Sequence, residues 1–431
     1  MVKILVIGSG AREHAIIKSL NKSKKEKEIY CLASNNNPGI SDICKEMKII
    51  DINDAQLIKD HSIKQSINIA IIGPENPLAY GVADSLWEAG IGVIGPKKNL
   101  AQIETSKSFA RNLLREYKIP GCPKFKTFIN MEGVKDFLSL LGDNYVVKYD
   151  GLAGGKGVKV AGDHLHSHEE ALSYCKELIE NGGRFVIDRK LIGEEFSLMS
   201  FSDGENLVHM PAVQDHKRAY ENDTGPNTGG MGTYSDSDHS LPFLEKSHIE
   251  SAQKINEKTA KALKHKFGEG YKGILYGGFI ATNAGVQLIE YNARFGDPEA
   301  MNVLSILDSD LIEICEAIIS EDLNNTKIVF KNLATVCKYA VPEGYPDDPV
   351  KGHQIDVSEV KNKNILFYAS VENKNDKLIQ IGSRAIAVVG HGETIWEAEQ
   401  IAEKNILKVK GPLFHRNCLL YTSDAADDDA C

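Results

Sequence analysis

Short apolar runs, each closed by glycine, proline or asparagine, set the rhythm of the first hundred residues. Val2–Ile7 reads as an apolar strand, Arg12–Leu20 as a helix, and Glu28–Ala33 as a second strand. That strand runs into the loop Asn35-Asn36-Asn37-Pro38-Gly39. Two further buried-type runs, Ile67–Ile72 and Ile91–Ile94, stop at Gly73-Pro74-Glu75 and Gly95-Pro96. Strands separated by helical stretches of about ten residues or more predict βαβ units and a parallel sheet. Ligands of such sheets sit beyond the carboxyl ends of the strands, the edge at which these runs turn into loops. The charge run Lys22–Glu28 is expected as solvated loop.

The texture changes near residue 105. Tyr145–Tyr149 and Gly157–Val160 are predicted strands around the loop Asp150–Lys156, and Arg184–Ile187 and Glu195–Phe201 are two more around Gly193. A polar, glycine-rich stretch from Gln214 to Gly232 reads as loop before a predicted helix over Ser247–His265. Gly273–Thr282 and Val286–Ala293 predict a hairpin across Asn283-Ala284-Gly285. From 330 to 417 the pattern is that of a smaller α+β segment. The expected division is therefore 1–104, 105–329 (with a lid over about 122–192) and 330–417. Cys418–Cys431 holds four Asp and no base and is expected to be a disordered or foreign tail.

Charge narrows the function. Lys and Arg total 50 against 60 Asp and Glu, a net −10, so there is no basic surplus for a nucleic-acid backbone. No apolar run approaches the roughly 18 residues of a membrane span, and the N-terminus enters a strand without signal-peptide anatomy. Eight cysteines without a CxxC pair read as thiols in a reducing cytosol. A cytoplasmic protein without membrane or nucleic-acid partners is expected.

Two loops have phosphate-binding character. Gly8-Ser9-Gly10-Ala11-Arg12-Glu13 follows a strand and opens a helix, the setting of a dinucleotide fingerprint. Glu13 stands where the third glycine belongs, and the second strand ends in Ala33-Ser34-Asn35 with no acid for a ribose hydroxyl. Free N–H groups at a helix start, together with Arg12, suit a single sugar phosphate instead. Asp150–Gly157 is not a Walker loop, because Gly151 falls one place late and Gly157 supplies no hydroxyl for Mg²⁺. A glycine hairpin with Lys148 and Lys156 suits a lid over ATP phosphates.

Gln287–Arg294 is the most informative strand. Alternate side chains share a face, so Glu290, Asn292 and Arg294 are expected on one side and Ile289, Tyr291 and Ala293 in the core. Two oxygen ligands plus a guanidinium suit a divalent cation on ATP phosphates. Asp297-Pro298-Glu299 adds two more acids in a turn.

Together these segments resemble a known family. Gly-Leu-Ala-Gly-Gly-Lys-Gly (151–157), Gly-Glu-Glu-x-Ser (193–197), Gln-Asp-His-Lys-Arg (214–218), Asp-Thr-Gly-Pro-Asn-Thr-Gly-Gly-Met-Gly (223–232) and Glu-Tyr-Asn-Ala-Arg-Phe-Gly-Asp-Pro-Glu (290–299) look like the phosphoribosylamine–glycine ligases. The loops at 8–14, 37–39 and 73–78 match too, and the resemblance spans residues 1 to 417. It implies an α/β and α+β multidomain protein of ATP-grasp fold, with an N-terminal parallel α/β domain and a small C-terminal α+β domain. It implies ATP and Mg²⁺ or Mn²⁺ as cofactors and glycine and 5-phosphoribosylamine as substrates. A monomer is expected.

Carried over residue by residue, the resemblance places the metal on Glu290 and Asn292. ATP would meet Lys107, Lys148, Gly151, Gly154, Gly155, Lys156 and Gly157, with Glu195 on its ribose. Asp215, Lys217 and Arg294 would line the glycine and ribosylamine side, beside Thr228, Gly229, Gly230 and Met231. Gly10, Arg12, Asn37, Gly39 and Glu75 would surround the phosphoribosyl group. Two departures stand out. The adenine-hinge segment reads Ile187-Asp188-Arg189-Lys190-Leu191, and the family's Arg-x-Asp-Ile-Gly ending breaks after Arg416-Asn417. The Arg384 and Gly390–Gly392 segment still resembles the family's C-terminal domain. The competing readings are another ATP-grasp carboxylate–amine ligase or carboxylase, and a non-catalytic nucleotide-binding protein.

Overall fold

The structure, a computed structural model, describes residues 1–153 and 157–419. Five strands, β1 (Val2–Ile7), β2 (Lys27–Ala33), β3 (Glu46–Ile49), β4 (Ile69–Ile72) and β5 (Gly92–Ile94), form an all-parallel sheet in the order β3-β2-β1-β4-β5. The edge strand β3 was not legible in the pattern, because Glu46-Met47-Lys48-Ile49 is half charged and exposed, as sheet edges often are. The strand order reverses at β1, so the loops after β1 and β4 lie side by side. A methyl group on Gly8, which sits at φ +120°, would meet Pro74 at 2.9 Å.

Helices Lys98–Thr105 and Lys107–Glu116 lead into a second sheet of β6 (Phe125–Phe128), β7 (Tyr145–Tyr149), β8 (Val158–Val160) and β9 (Phe185–Arg189), ordered β6-β9-β7-β8. It has a core of its own, built from Phe128, Val134, Leu138, Val147, Cys175 and Phe185. Beyond it, β10 (Glu194–Asp203) and β11 (Leu207–His209) join the expected hairpin, here β14 (Lys272–Thr282) and β15 (Gly285–Asn292), in the order β11-β10-β14-β15. Helix Lys246–Phe267 packs Ile255, Thr259 and Leu263 into the adjoining core.

The stretch expected as loop from Gln214 to Gly232 is instead a β-ribbon, β12 (Gln214–Tyr220) against β13 (Thr224–Ser235). Its register shifts twice, and Gly225 and Gly230 take left-handed backbone conformations there. Glycine and proline therefore hide the strand pattern without preventing pairing. The ribbon is built into the C-terminal sheet through β13 and β16 (Ala334–Pro342), so two parts of the chain share one sheet. That sheet continues through Ile386–Gly392 to Leu366–Tyr368. The N-terminal sheet docks on the same region. Lys18 Nζ donates to the carbonyls of Lys363 and Leu366 (both 2.7 Å), and the Tyr368 N–H donates to His14 Nδ1 (3.0 Å).

Of the stretch expected as a loose tail, Cys418 and Leu419 are packed. Leu419 is fully buried against Gly232, and residues 420–431 lie outside the described residues. Cys31, Cys44, Cys122, Cys175, Cys315 and Cys337 are free thiols, whereas Cys418 departs from the all-thiol expectation and is disulfide-bonded. Among the described residues no helix is long and apolar enough to cross a membrane.

Candidate active site

Strand β15 carries the acidic side of the cleft. Val286 and Leu288 are buried, and so are Tyr291 and Ala293. This change of parity marks a bulge, where the pairing jumps from Phe279–Leu288 to Gly278–Glu290. Glu290, Asn292 and Arg294 share the cleft side as expected. Ile289 does not enter the core as expected; the bulge turns it to the cavity wall beside Glu290. Its carbonyl accepts from Lys148 Nζ (3.0 Å) and Arg111 Nη2 (2.7 Å).

The cavity over this strand is lined by Glu195, Ser197, Asp215, Lys217, Tyr276 and Glu290, among others. Burial pushes the Glu290 carboxyl up, but Lys217, Lys148 and Lys107 outweigh it and hold the group below the usual carboxylate range. Lys217 forms an ion pair with Glu195 at 3.0 Å, and that charge raises its ammonium above the ordinary value. Asp215 differs: burial, then the charge of Glu299, lift its carboxyl to about 8 against the pull of Lys217. Lys148 lies 3.0 Å from Asp188, which also takes Arg111 at 2.7 Å. The acid at the expected adenine hinge therefore points inward, onto two cations. Lys107 reaches the Gly151 carbonyl at 3.1 Å. Gly154, Gly155 and Lys156 lie outside the described residues.

Arg294 joins the cleft to the N-terminal sheet. It pairs with Glu104 at 3.0 Å and Glu75 at 3.4 Å, and donates to Asn292 Oδ1 and the Phe295 carbonyl, both at 3.2 Å. Burial raises the Glu75 carboxyl, yet Arg294 and Arg12 outweigh it and leave the group below its usual range. Glu104 was missed in the sequence. It is buried, accepts the Ala293 N–H at 2.7 Å, and burial holds its carboxyl above the usual range despite Arg294. A lone Glu in a helix gave no signal, because its partner is distant in sequence.

The phosphoribosyl candidates cluster at the carboxyl edge of the parallel sheet. The Gly10 N–H and Arg12 Nε both donate to Glu13, each at 2.6 Å, and Arg12 Nη1 reaches the Phe295 carbonyl at 3.3 Å. Asn37 is fully buried. It caps a short helix by accepting the Gly39 N–H (3.0 Å) and donates to the Ser9 and Tyr368 carbonyls (2.9 and 2.8 Å). Gly39 leaves no room for a side chain against His14 and Tyr368.

On the ribbon, the Gly230 N–H donates to Thr228 Oγ1 (3.0 Å), the Gly229 N–H to the Tyr345 hydroxyl (2.9 Å), and Met231 is buried. Arg384 binds the Gly229 and Gly230 carbonyls and forms an ion pair with Asp297 at 3.0 Å. Asp297 was noted in the sequence only as part of an acidic turn.

Among the described residues no three or more His, Cys, Asp or Glu gather as a metal cage. Glu290 and Asn292 nonetheless fit a hard cation. Both donors are oxygens on one strand face, the carboxylate is kept ionised, and Mg²⁺ ordinarily takes one or two protein oxygens with the rest from phosphates and water.

A family model described as phosphoribosylglycinamide synthetase matches this chain in three parts. Its N domain covers residues 2–104, its ATP-grasp (A) domain 105–300 and its C domain 335–417. The phosphoribosylamine–glycine ligase of Methanosarcina barkeri is 48% identical over 415 residues, covering 96% of this chain and 95% of that protein. The protein of the same name from Methanococcus maripaludis is 50% identical over 426 residues, covering 96% of each chain. The crystal structure of a Thermotoga maritima phosphoribosylamine–glycine ligase superposes with a TM-score of 0.82 at 28% identity, covering 96% and 99% of the two chains. A Campylobacter jejuni biotin carboxylase, at 13% identity and TM-score 0.69, shares the fold. On these matches, which together span residues 2–417, the chain belongs to the phosphoribosylamine–glycine ligase family of ATP-grasp enzymes.

Proposed function

We propose that this protein is a cytoplasmic, monomeric ATP-dependent ligase that joins glycine to 5-phosphoribosylamine, giving glycinamide ribonucleotide, ADP and phosphate in purine biosynthesis. The observation that carries the reading is Glu290, an ionised carboxylate faced by Lys217, Lys148 and Lys107 and flanked by Arg294. Such a site neutralises a polyphosphate and holds it in line for attack. A glycine carboxylate oxygen attacks the γ-phosphorus and ADP leaves. The amine of 5-phosphoribosylamine then attacks the acyl carbon of glycyl phosphate, the C–O bond to phosphate breaks, and the nitrogen loses a proton.

Glu290 and Asn292 would hold Mg²⁺ or Mn²⁺, which neutralises phosphate charge when bound. Residues 1–104 supply the phosphoribosyl pocket around Arg12 and Glu75. Residues 105–329 grasp ATP, with 122–192 as the lid that shields the acyl phosphate from water, and 330–417 close the far side. Arg294, tied to Glu75 on one flank and Asn292 on the other, stands where the two substrates must meet. The test is ADP release measured with each substrate omitted in turn. Release should require glycine, 5-phosphoribosylamine and Mg²⁺ together. Robust turnover with bicarbonate or another amino acid in place of glycine would overturn the proposal.

A further inference from the structure

Asp297 is a carboxylate with one oxygen tied down and one left open. Its Oδ1 accepts from the Tyr339 hydroxyl at 2.7 Å and pairs with Arg384 Nη2 at 3.0 Å. Arg384 lies over the Tyr339 ring, 4.4 Å from its centre, and also donates to the Asp297 carbonyl at 3.2 Å. Among the described residues no donor reaches Oδ2. The side chain is 16% exposed, so that oxygen is not sealed from the cleft. A methyl group on Gly10 would stand 3.8 Å from it, which places Oδ2 at the mouth of the N-terminal loop. Arg384, Arg12, the Tyr339 hydroxyl and Arg294 together outweigh burial and keep the carboxyl below its usual range.

An ionised carboxylate held rigidly through one oxygen is a hydrogen-bond acceptor aimed by its surroundings. It would repel a phosphate, so it does not serve the anion end of a ligand. It lies between the Gly10–Arg12 loop and Arg294, that is, between the phosphoribosyl pocket and the site of acyl transfer. The group of 5-phosphoribosylamine that must occupy this junction is its 1-amino group.

We infer that Asp297 Oδ2 binds the 1-amino group of 5-phosphoribosylamine and orients it toward the acyl carbon, with Arg384 and Tyr339 as the positioning residues that aim the carboxylate. This rests on the ligase reading above and deepens it. Asp297→Asn keeps the shape and removes the charge, and Tyr339→Phe removes only the hydroxyl that steadies Oδ1. Steady-state kinetics of ADP release should show the ribosylamine KM raised roughly ten- to hundredfold in Asp297→Asn, with glycine and ATP KM within about twofold. Tyr339→Phe should raise the same KM by a smaller factor, and it reads the proposal even if Asp297→Asn fails to fold. A rise in glycine KM with the ribosylamine KM unchanged would assign Asp297 to the glycine ammonium and overturn the inference. Unchanged constants in folded variants would leave Asp297 a structural tie and overturn it equally. If wild-type protein releases no ADP in response to ribosylamine, the ligase reading fails instead.

Discussion

Burial pushes the Glu290 carboxyl up, and three lysines from separate segments outweigh it and hold the group below the usual carboxylate range. Removing that charge tests the site directly. Glu290→Gln keeps the size and a carbonyl oxygen, so on the proposed reading ATP would retain its lysine contacts while the cation would lose its anionic ligand. We expect kcat to fall at least about a hundredfold, roughly 2.7 kcal/mol of transition-state stabilisation, with a much smaller change in ATP affinity. Steady-state kinetics at saturating Mg²⁺ checks this, with folding verified by thermal melting. A folded variant of near-normal kcat would mean that the cation is held elsewhere. The Glu290–Asn292–Arg294 alternation could be read from the sequence, since strand periodicity is local. The roles of Glu104 and Asp297 could not, since each depends on an arginine brought in from a distant segment.

At the scale of elements, the start of helix Ala11–Asn21 shows what one substitution in a familiar motif does. Glu13, standing where a dinucleotide fingerprint has glycine, folds back to accept the Gly10 N–H and Arg12 Nε. The Glu13 side chain fills the space beside Gly8 and Gly73 that a pyrophosphate cradle would need, which fits the proposed single-phosphate site beside Arg12. Arg12→Ala should raise the ribosylamine KM, the loss of a charge-assisted contact being about 1.5–3 kcal/mol, and leave ATP KM nearly unchanged. It also strands the buried Glu13 carboxylate, so Tm should fall, and Arg12→Lys should recover part of that fall. A rise in ATP KM instead would invert the assignment of the N-terminal sheet. The β12–β13 ribbon teaches the opposite lesson. Its glycines and proline erase the strand signature, and the pairing of β12 with β13, extended onto β16 at Gly232–Ser235, makes it a ribbon.

At the scale of the molecule, Arg294 is where three parts of the chain are pinned together. Glu75 comes from the short helix after β4, Glu104 from the connecting helix, and Asn292 from the strand of the cleft. Glu104→Gln keeps the hydrogen bond to the Ala293 N–H within reach and removes one of the two charges that bracket the guanidinium. We expect kcat to fall at least about tenfold while ATP KM stays within about twofold, read by the same steady-state assay. Unchanged kcat would show that Glu75 and Asn292 suffice to orient Arg294.

The sequence by itself determined the elements whose signals are local. These are the apolar strands of the parallel sheet, the Lys246–Phe267 helix, the β14–β15 hairpin, and the alternation of polar and apolar side chains from Glu290 to Arg294. Each follows from the period of a few neighbouring side chains. Tertiary structure alone decided the bulge that turns Ile289 to the cavity, the inward turn of Asp188 onto Arg111 and Lys148, and the packing of Leu419 on Gly232. It also decided which oxygen of Asp297 is tied and which is open. These depend on partners far apart in sequence, and their energies arise from burial and charge pairing that exist only once the segments have met.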